Sequence, residues 1–203
     1  MASEVVRLGN RKPCTRPPVK RTVQRRRLTV RLIMSARLAA PLDLELYKRL
    51  RLQALRTDPD AFGSNYEREL GFDDSTWLSR MSGFDGRKGA VFIDAVDGEA
   101  TGIVGIGFSE RAADTQLWGL WVVPEFRRNG AAQRLVESAI DWSCQHGAKT
   151  VTLWAVRSNT PAIALYERNG FSVQGEAAEL IALPANHSID ELAMQRQLLD
   201  EPC

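Results

Sequence analysis

Between Gln116 and Val156 the chain changes its hydrophobic period twice. A run rich in Trp, Leu and Val over Gln116–Val123 ends at Pro124, and a short basic loop follows. Ala132, Leu135, Val136, Ala139, Ile140 and Ser143 then recur on one helical face, which predicts an amphipathic helix over Gly130–Gln145 closed by Gly147. Val151–Val156 is next, a continuous apolar run of strand length. A strand, helix, strand succession can bury its apolar stripe only against a sheet. No other feature narrows the fold so much.

The remaining signals extend that sheet. Ser35–Ala39 reads as a short strand, followed by Pro41, an Asp43 N-cap and a helix through Leu46, Leu50 and Ala54 to about Arg56. Asp58-Pro59-Asp60 stops it. Helical spacing returns over Asn65–Leu70 and Asp74–Met81, with Asp74 or Ser75 as cap. Gly89–Ala95 and Thr101–Ser109 form a hairpin about Asp97-Gly98. Pro161–Arg168 is a helix with proline in its first turn, Phe171–Gln174 a strand, and Glu191–Leu199 a last strand. Paired strands followed by strands alternating with helices imply an α/β domain over residues 34–203, with a mixed sheet flanked by helices.

Charge separates this domain from what precedes it. Of 27 Lys and Arg, eleven fall in residues 1–37 beside a single acid, Glu4, so residues 38–203 carry 16 basic and 24 acidic groups. An acidic body argues against nucleic acid as its main partner. Residues 1–33, with Pro13, Pro17, Pro18 and Arg25–Arg27, hold too little apolar area to offset their ordering entropy. They read as a disordered arm or an upstream-extended start before Met34; a surface-binding tail and a transit peptide remain open. Cys14, Cys144 and Cys203 are far apart and form no metal-spaced cluster, so no metal site is expected, and reduced thiols fit a cytoplasmic protein. No apolar run is long enough to cross a membrane, and arginines interrupt any signal-peptide stretch.

The chemistry-bearing stretch runs from Trp121 to Ala132. A strand ends in Pro124, Arg127 and Arg128 add charge, and a helix opens on Gly130, Ala131 and Ala132. Free N–H groups at a helix start, with small residues that let a ligand approach, make a diphosphate cradle. The spacing is neither the Walker A loop nor the GxGxxG fingerprint, and an ordinary strand–turn–helix has the same outline. Further on, Asn159 precedes a helix containing Ala162, Leu165 and Tyr166 that ends in Arg168-Asn169-Gly170-Phe171.

Taken together, Val122-x-Pro124, Arg127-x-x-Gly130-x-Ala132 and Asn159-x-x-Ala162-x-x-Leu165-Tyr166-x-x-x-Gly170-Phe171 resemble the GCN5-related N-acetyltransferase family. The resemblance spans Met34–Leu199, is strongest over Leu117–Phe171, and includes Arg51–Leu55 and Ala61–Ser64. It implies a mostly antiparallel mixed sheet and an enzyme that transfers acetyl from acetyl-CoA to a primary amine, without a covalent enzyme intermediate. A non-catalytic acyl-CoA-binding module is the alternative, and a homodimer stays open. By the same resemblance, Leu120, Trp121 and Val122 pair with the pantetheine arm. Arg127, Arg128, Asn129, Gly130, Ala131, Ala132 and Gln133 surround the pyrophosphate. Asn159 hydrogen-bonds the pantetheine, and Tyr166 protonates the departing thiolate.

Two departures stand out. Ala132 occupies the place of a second glycine. Trp154 stands five residues before Asn159, where the ribosomal-protein acetyltransferases of this family carry a glutamate base. Because a lysine amine with pKa ~10.4 is almost wholly protonated near neutrality, a base is expected elsewhere. Glu69, Glu110 and His187 are candidates, none fixed by a motif. Tyr66, Glu67 and Glu69 are either a solvated face or part of an acceptor wall. Trp118, Trp121 and Trp154 are either core or an aromatic acceptor pocket, and Gly119 marks a bulge. Cys144 is expected to be buried and His146 to complement its helix dipole. The acidic body weakly favours a cationic acceptor.

Overall fold

The computed structural model describes residues 33–83, 87–111, 113–174 and 191–198. Expectations for residues 1–32, and for His187, Cys14 and Cys203, lie outside these. The elements are β1 (Met34–Leu38), α1 (Leu44–Thr57), α2 (Tyr66–Leu70), α3 (Asp74–Ser82), β2 (Gly89–Val96), β3 (Glu99–Phe108), β4 (Asp114–Val122), α4 (Ala131–Gln145), β5 (Thr150–Val156), α5 (Thr160–Arg168), β6 (Ser172–Val173) and β7 (Glu191–Gln197). Short 3-10 turns at Pro41–Asp43, Pro59–Ala61 and Pro124–Phe126 join them.

The strands form one sheet in the order β1-β2-β3-β4-β5-β7-β6. Every neighbouring pair is antiparallel except β4 and β5, which α4 connects as a parallel crossover. Asp97 and Gly98 both take positive φ, 50° and 85°, as a two-residue hairpin turn requires.

Each face of the sheet buries its own core. On one, Leu135, Val136, Ala139 and Ile140 of α4 pack with Val104, Ile106, Leu117, Val151, Leu153 and Tyr166. On the other, Tyr47, Leu50, Ala54 and Leu55 of α1 and Trp77 of α3 pack on Val91, Ile93, Ile103 and Trp121. Successive strand residues alternate faces, so Leu117 and Trp121, four apart, would share one on a regular strand. They do not. Ile103 pairs with Trp121 but Gly105 with Trp118, so Gly119 and Leu120 oppose Val104 alone. That bulge reverses the alternation and turns the Trp121 indole toward α1. Gly119 lies at φ +63°, a conformation that favours glycine.

Two caps differ from expectation. Asp43 precedes α1 but does not cap it, because its carboxylate is held by Arg37 (2.6 and 2.7 Å) and the Ala40 N–H (2.8 Å). α3 is capped by Asp73, which accepts from the Thr76 N–H at 2.8 Å, and Asp74 is already helical. His146 meets its expectation: Nδ1 lies 2.7 Å from the Trp142 carbonyl in the last turn of α4. Cys144 is half-buried rather than buried.

Candidate active site

The site begins where β4 leaves β5. Their pairing covers Asp114–Thr150, Thr115–Val151 and Gln116–Thr152 and then stops, while β5 stays paired with β7 up to Val156–Glu191. From Leu117 to Val122, therefore, the β5-facing edge of β4 has no strand partner among the described residues. Backbone donors and acceptors left open inside a sheet are costly unless something pairs with them. This stretch contains Leu120, Trp121 and Val122. An extended ligand bearing amides would complete the ladder here.

At the far end of β4, Pro124–Phe126 makes a 3-10 turn and the chain swings into α4 through Arg128 (φ 62°) and Gly130 (φ 87°). The Ala131 N–H is taken by Asn129 Oδ1 at 3.1 Å, and the Arg134 N–H by the Gly130 carbonyl at 3.0 Å. The N–H groups of Arg128, Asn129, Gly130, Ala132 and Gln133 have no acceptor among the described residues. Such a cluster at a helix start, with left-handed residues bending it into a concavity, binds anions.

Arg127 is placed differently from expectation. Its Nε donates to the Val122 carbonyl (3.0 Å) and its Nη2 to Asp58 Oδ2 (2.6 Å). The same oxygen accepts from Trp121 Nε1 at 2.7 Å. Its own N–H goes to Pro124 O. Arg127 thus ties the end of α1 to the end of β4, and the neighbouring Arg128 is exposed at the turn.

Two interactions that the sequence does not reveal hold α4 in place. Arg134 clasps the fully buried Asp94 of β2 through Nε (2.7 Å) and Nη2 (2.9 Å), and Thr101 donates to the same carboxylate at 2.7 Å. The side-chain amides of Gln133 and Asn169 pair reciprocally at 2.8 and 3.0 Å, joining α4 to the end of α5. The Gln133 side chain is therefore committed while its backbone N–H stays open.

Across the divergence stands α5. Asn159 caps it, accepting from the Ala162 N–H at 3.2 Å, so only its side-chain NH2 remains to meet a ligand. Tyr166 is 6% exposed, sits edge-on to Phe171 at 5.8 Å, and its hydroxyl has no partner among the described residues. Burial pushes its phenol well above the ordinary range, so it holds its proton at every working pH but is a weaker acid than a free phenol.

The other face of the bulge is aromatic and charged. The Trp118 indole lies across β3, where a Cβ at Gly105 would overlap it and one at Gly107 would stand 3.1 Å away. Trp154 is half-buried on β5. Glu69 is fully buried and joined to Arg51 (Nε 3.0 Å, Nη2 2.7 Å) and Arg80 (3.4 Å), which corrects both the solvated-face reading and its candidacy as a base. Burial alone would raise its pKa, but the hydrogen bonds and charges of the two arginines hold it below the usual range. Tyr66 and Glu67 open α2, whose N-cap is Asn65. Glu110 is exposed beside Arg87 at 3.8 Å, past the β3 end that pairs with the start of β4 and thus away from the divergence.

Among the described residues, no group of His, Cys, Asp and Glu could hold a metal, and no helix is long and apolar enough to cross a membrane. A family model described as the acetyltransferase (GNAT) family matches residues 51–171. An uncharacterized N-acetyltransferase of Archaeoglobus fulgidus is 32% identical over 84 residues, which cover 39% of this chain and 57% of that protein. Two solved structures share the fold. A GCN5-related N-acetyltransferase of Kribbella flavida superposes with TM-score 0.64 at 19% identity, covering 81% of this chain and 98% of that one. YncA of Salmonella typhimurium, solved with its cofactor acetyl-CoA, superposes with TM-score 0.62 at 19% identity, covering 84% and 96%.

Proposed function

Since the chain belongs to the GNAT acetyltransferase family, we propose that it is an acetyl-CoA-dependent N-acetyltransferase that delivers acetyl to a primary amine by direct attack in a ternary complex. The observation that carries this reading is the divergence of β4 from β5 after Gln116–Thr152, with open backbone amides at Arg128–Gln133 beside it. The residues present fit acetyl-CoA, which supplies an activated acetyl thioester. The open β4 edge at Leu120–Val122 pairs with the pantetheine amides, and Asn159 Nδ2 donates from the facing side. The N–H groups of Arg128, Asn129, Gly130, Ala132 and Gln133 take the diphosphate, with Arg128 adding charge. Ala131 and Arg127 act one step back, through the Asn129 link and the Asp58 tie.

A backbone N–H fixed in the bulge meets the charge that develops on the acetyl oxygen without having to reorganise, which is where such a donor lowers a barrier most. Tyr166 offers its O–H to the thiolate as it leaves. With Trp154 in the position of a base, Glu69 committed and Glu110 remote, neither glutamate singled out in the sequence is poised to deprotonate the amine. The acceptor's own deprotonation, directly to water, sets the rising limb of the pH–rate profile.

Calorimetry of the full chain with acetyl-CoA tests the reading. Micromolar binding is expected, and Gly130→Glu should weaken it at least ~100-fold, because a carboxylate among the amides repels a diphosphate. Equal affinity in the variant would remove the cradle. Binding without turnover of any amine would leave the acyl-CoA-binding module.

A further inference from the structure

The guanidinium of Arg51 is only partly used. Its Nε and Nη2 form the fork to Glu69, and its ring-like plane stacks over Phe62 at 4.6 Å. Its Nη1 is buried and finds no hydrogen-bond partner among the described residues, although Arg51 as a whole is only 6% exposed. A buried, charged N–H2 without an acceptor is strongly disfavoured in a finished core. Nη1 stands over the bulge: a Cβ placed on Gly119 would lie 3.6 Å from it. Gly119 is beyond the last β4–β5 pair, so this nitrogen lies beside the opening.

Both oxygens of Glu69 are taken by the Nε and Nη2 fork of Arg51, so an acceptor for Nη1 has to come from outside this pair. A cationic group offers Nη1 no acceptor, whereas a carboxylate does.

We propose that Arg51, held by Glu69, presents Nη1 at the Gly119 bulge to the carboxylate of the acceptor, so that the acceptor is a zwitterion of the amino-acid class and not a polyamine or aminoglycoside. The proposal rests on the acetyltransferase reading above and names the substrate class of that site. It differs from the cationic acceptor suggested by the net charge of the body, because Nη1 needs an acceptor that a polycation does not carry.

The test is release of free CoA thiol by the full chain from acetyl-CoA, with each of the common L-amino acids set against its own carboxamide and with spermidine as the cationic control. With kcat/KM referred to the neutral-amine fraction of each compound, at least one acid should exceed its amide by about tenfold or more, the scale of one charge-assisted hydrogen bond. Arg51→Lys, which keeps the charge but not the fork, should raise KM for that acid and bring the acid-to-amide ratio toward one. The proposal is overturned if amides match their acids, if spermidine is the best acceptor, if no acid reacts, or if Arg51→Lys slows acid and amide alike. The wild-type comparison needs no variant to fold. Calorimetry with acetyl-CoA on the same preparation separates the two failures: no binding sinks the transferase reading, whereas binding without acid preference sinks only this one.

Discussion

Two buried carboxylates, one near each face of the sheet, are each gripped by an arginine, and they end differently. Asp94 receives Arg134 through two nitrogens and Thr101 through its hydroxyl, and the third nitrogen of Arg134 reaches the Asn129 carbonyl at 3.3 Å. Every group is used, and the outcome is mechanical: the first turn of α4 is fixed to β2. Glu69 is gripped as firmly, yet Arg51 keeps Nη1 uncommitted above the β4 bulge. Complete saturation goes with holding a helix in place. A remaining donor at the mouth of an opening goes with holding a ligand.

Removing the carboxylates tests both grips. Glu69→Ala leaves the buried Arg51 guanidinium without its carboxylate and should cost about 3–5 kcal/mol in urea unfolding, and Asp94→Ala, whose arginine side chain is 22% exposed, should cost less. A loss below about 1 kcal/mol at either site would show that the pair is solvated and not a buried ion pair.

Tyr166 extends the comparison: its ring is buried and its hydroxyl has no hydrogen-bond partner among the described residues. Tyr166→Phe should lower kcat by about 100-fold, near the low end for general acid catalysis, while acetyl-CoA affinity and thermal stability hold. An unchanged kcat would assign it to packing. With the phenol pKa raised by burial, no limb of the profile between neutrality and the ordinary tyrosine pKa of ~10 should belong to it.

A smaller effect should come from Gly119→Ala. A side chain at φ +63° costs about 1–2 kcal/mol of backbone strain. Its Cβ would also stand 3.6 Å from Arg51 Nη1 and crowd whatever that nitrogen binds. Unfolding should report the strain, and KM for the amine the crowding.

The smallest concerns the exposed counterpart of the two buried pairs. The Arg37 hydrogen bond, together with the Ala40 N–H, draws the Asp43 pKa down to about 2. A lowered folded-state pKa means that the stabilisation is full above the unfolded value of ~4 and is lost as pH falls toward 2. Asp43→Asn should flatten that part of the stability profile by well under about 1 kcal/mol, because the partner arginine is half exposed.

What the sequence determined by itself was local. The hairpin turn at Asp97-Gly98, the α4 stripe from Ala132 to Ser143, the Gly147 stop and the order of strands are consequences of period, glycine and proline, and they match the structure to within a few residues. The motif positions likewise pointed to the open amides of α4 and to Tyr166, because helix starts and family spacing are written in neighbouring residues. Gly119 was legible as a bulge for the same reason. What the bulge does to Trp121 was not, since a face is defined only once β3 and α1 are in place.

Tertiary structure alone decided which charges were available. Arg127 and Glu69 look free in one dimension, but their partners, Asp58 and Arg51, arrive from other elements. Net charge is silent for the same reason: a sum over a sequence says nothing about which buried donors are left without an acceptor. Hydrogen-bond saturation of a long-range pair depends on three-dimensional closure, which periodicity and spacing do not encode. That closure leaves Arg134 complete and Arg51 with one donor to spare.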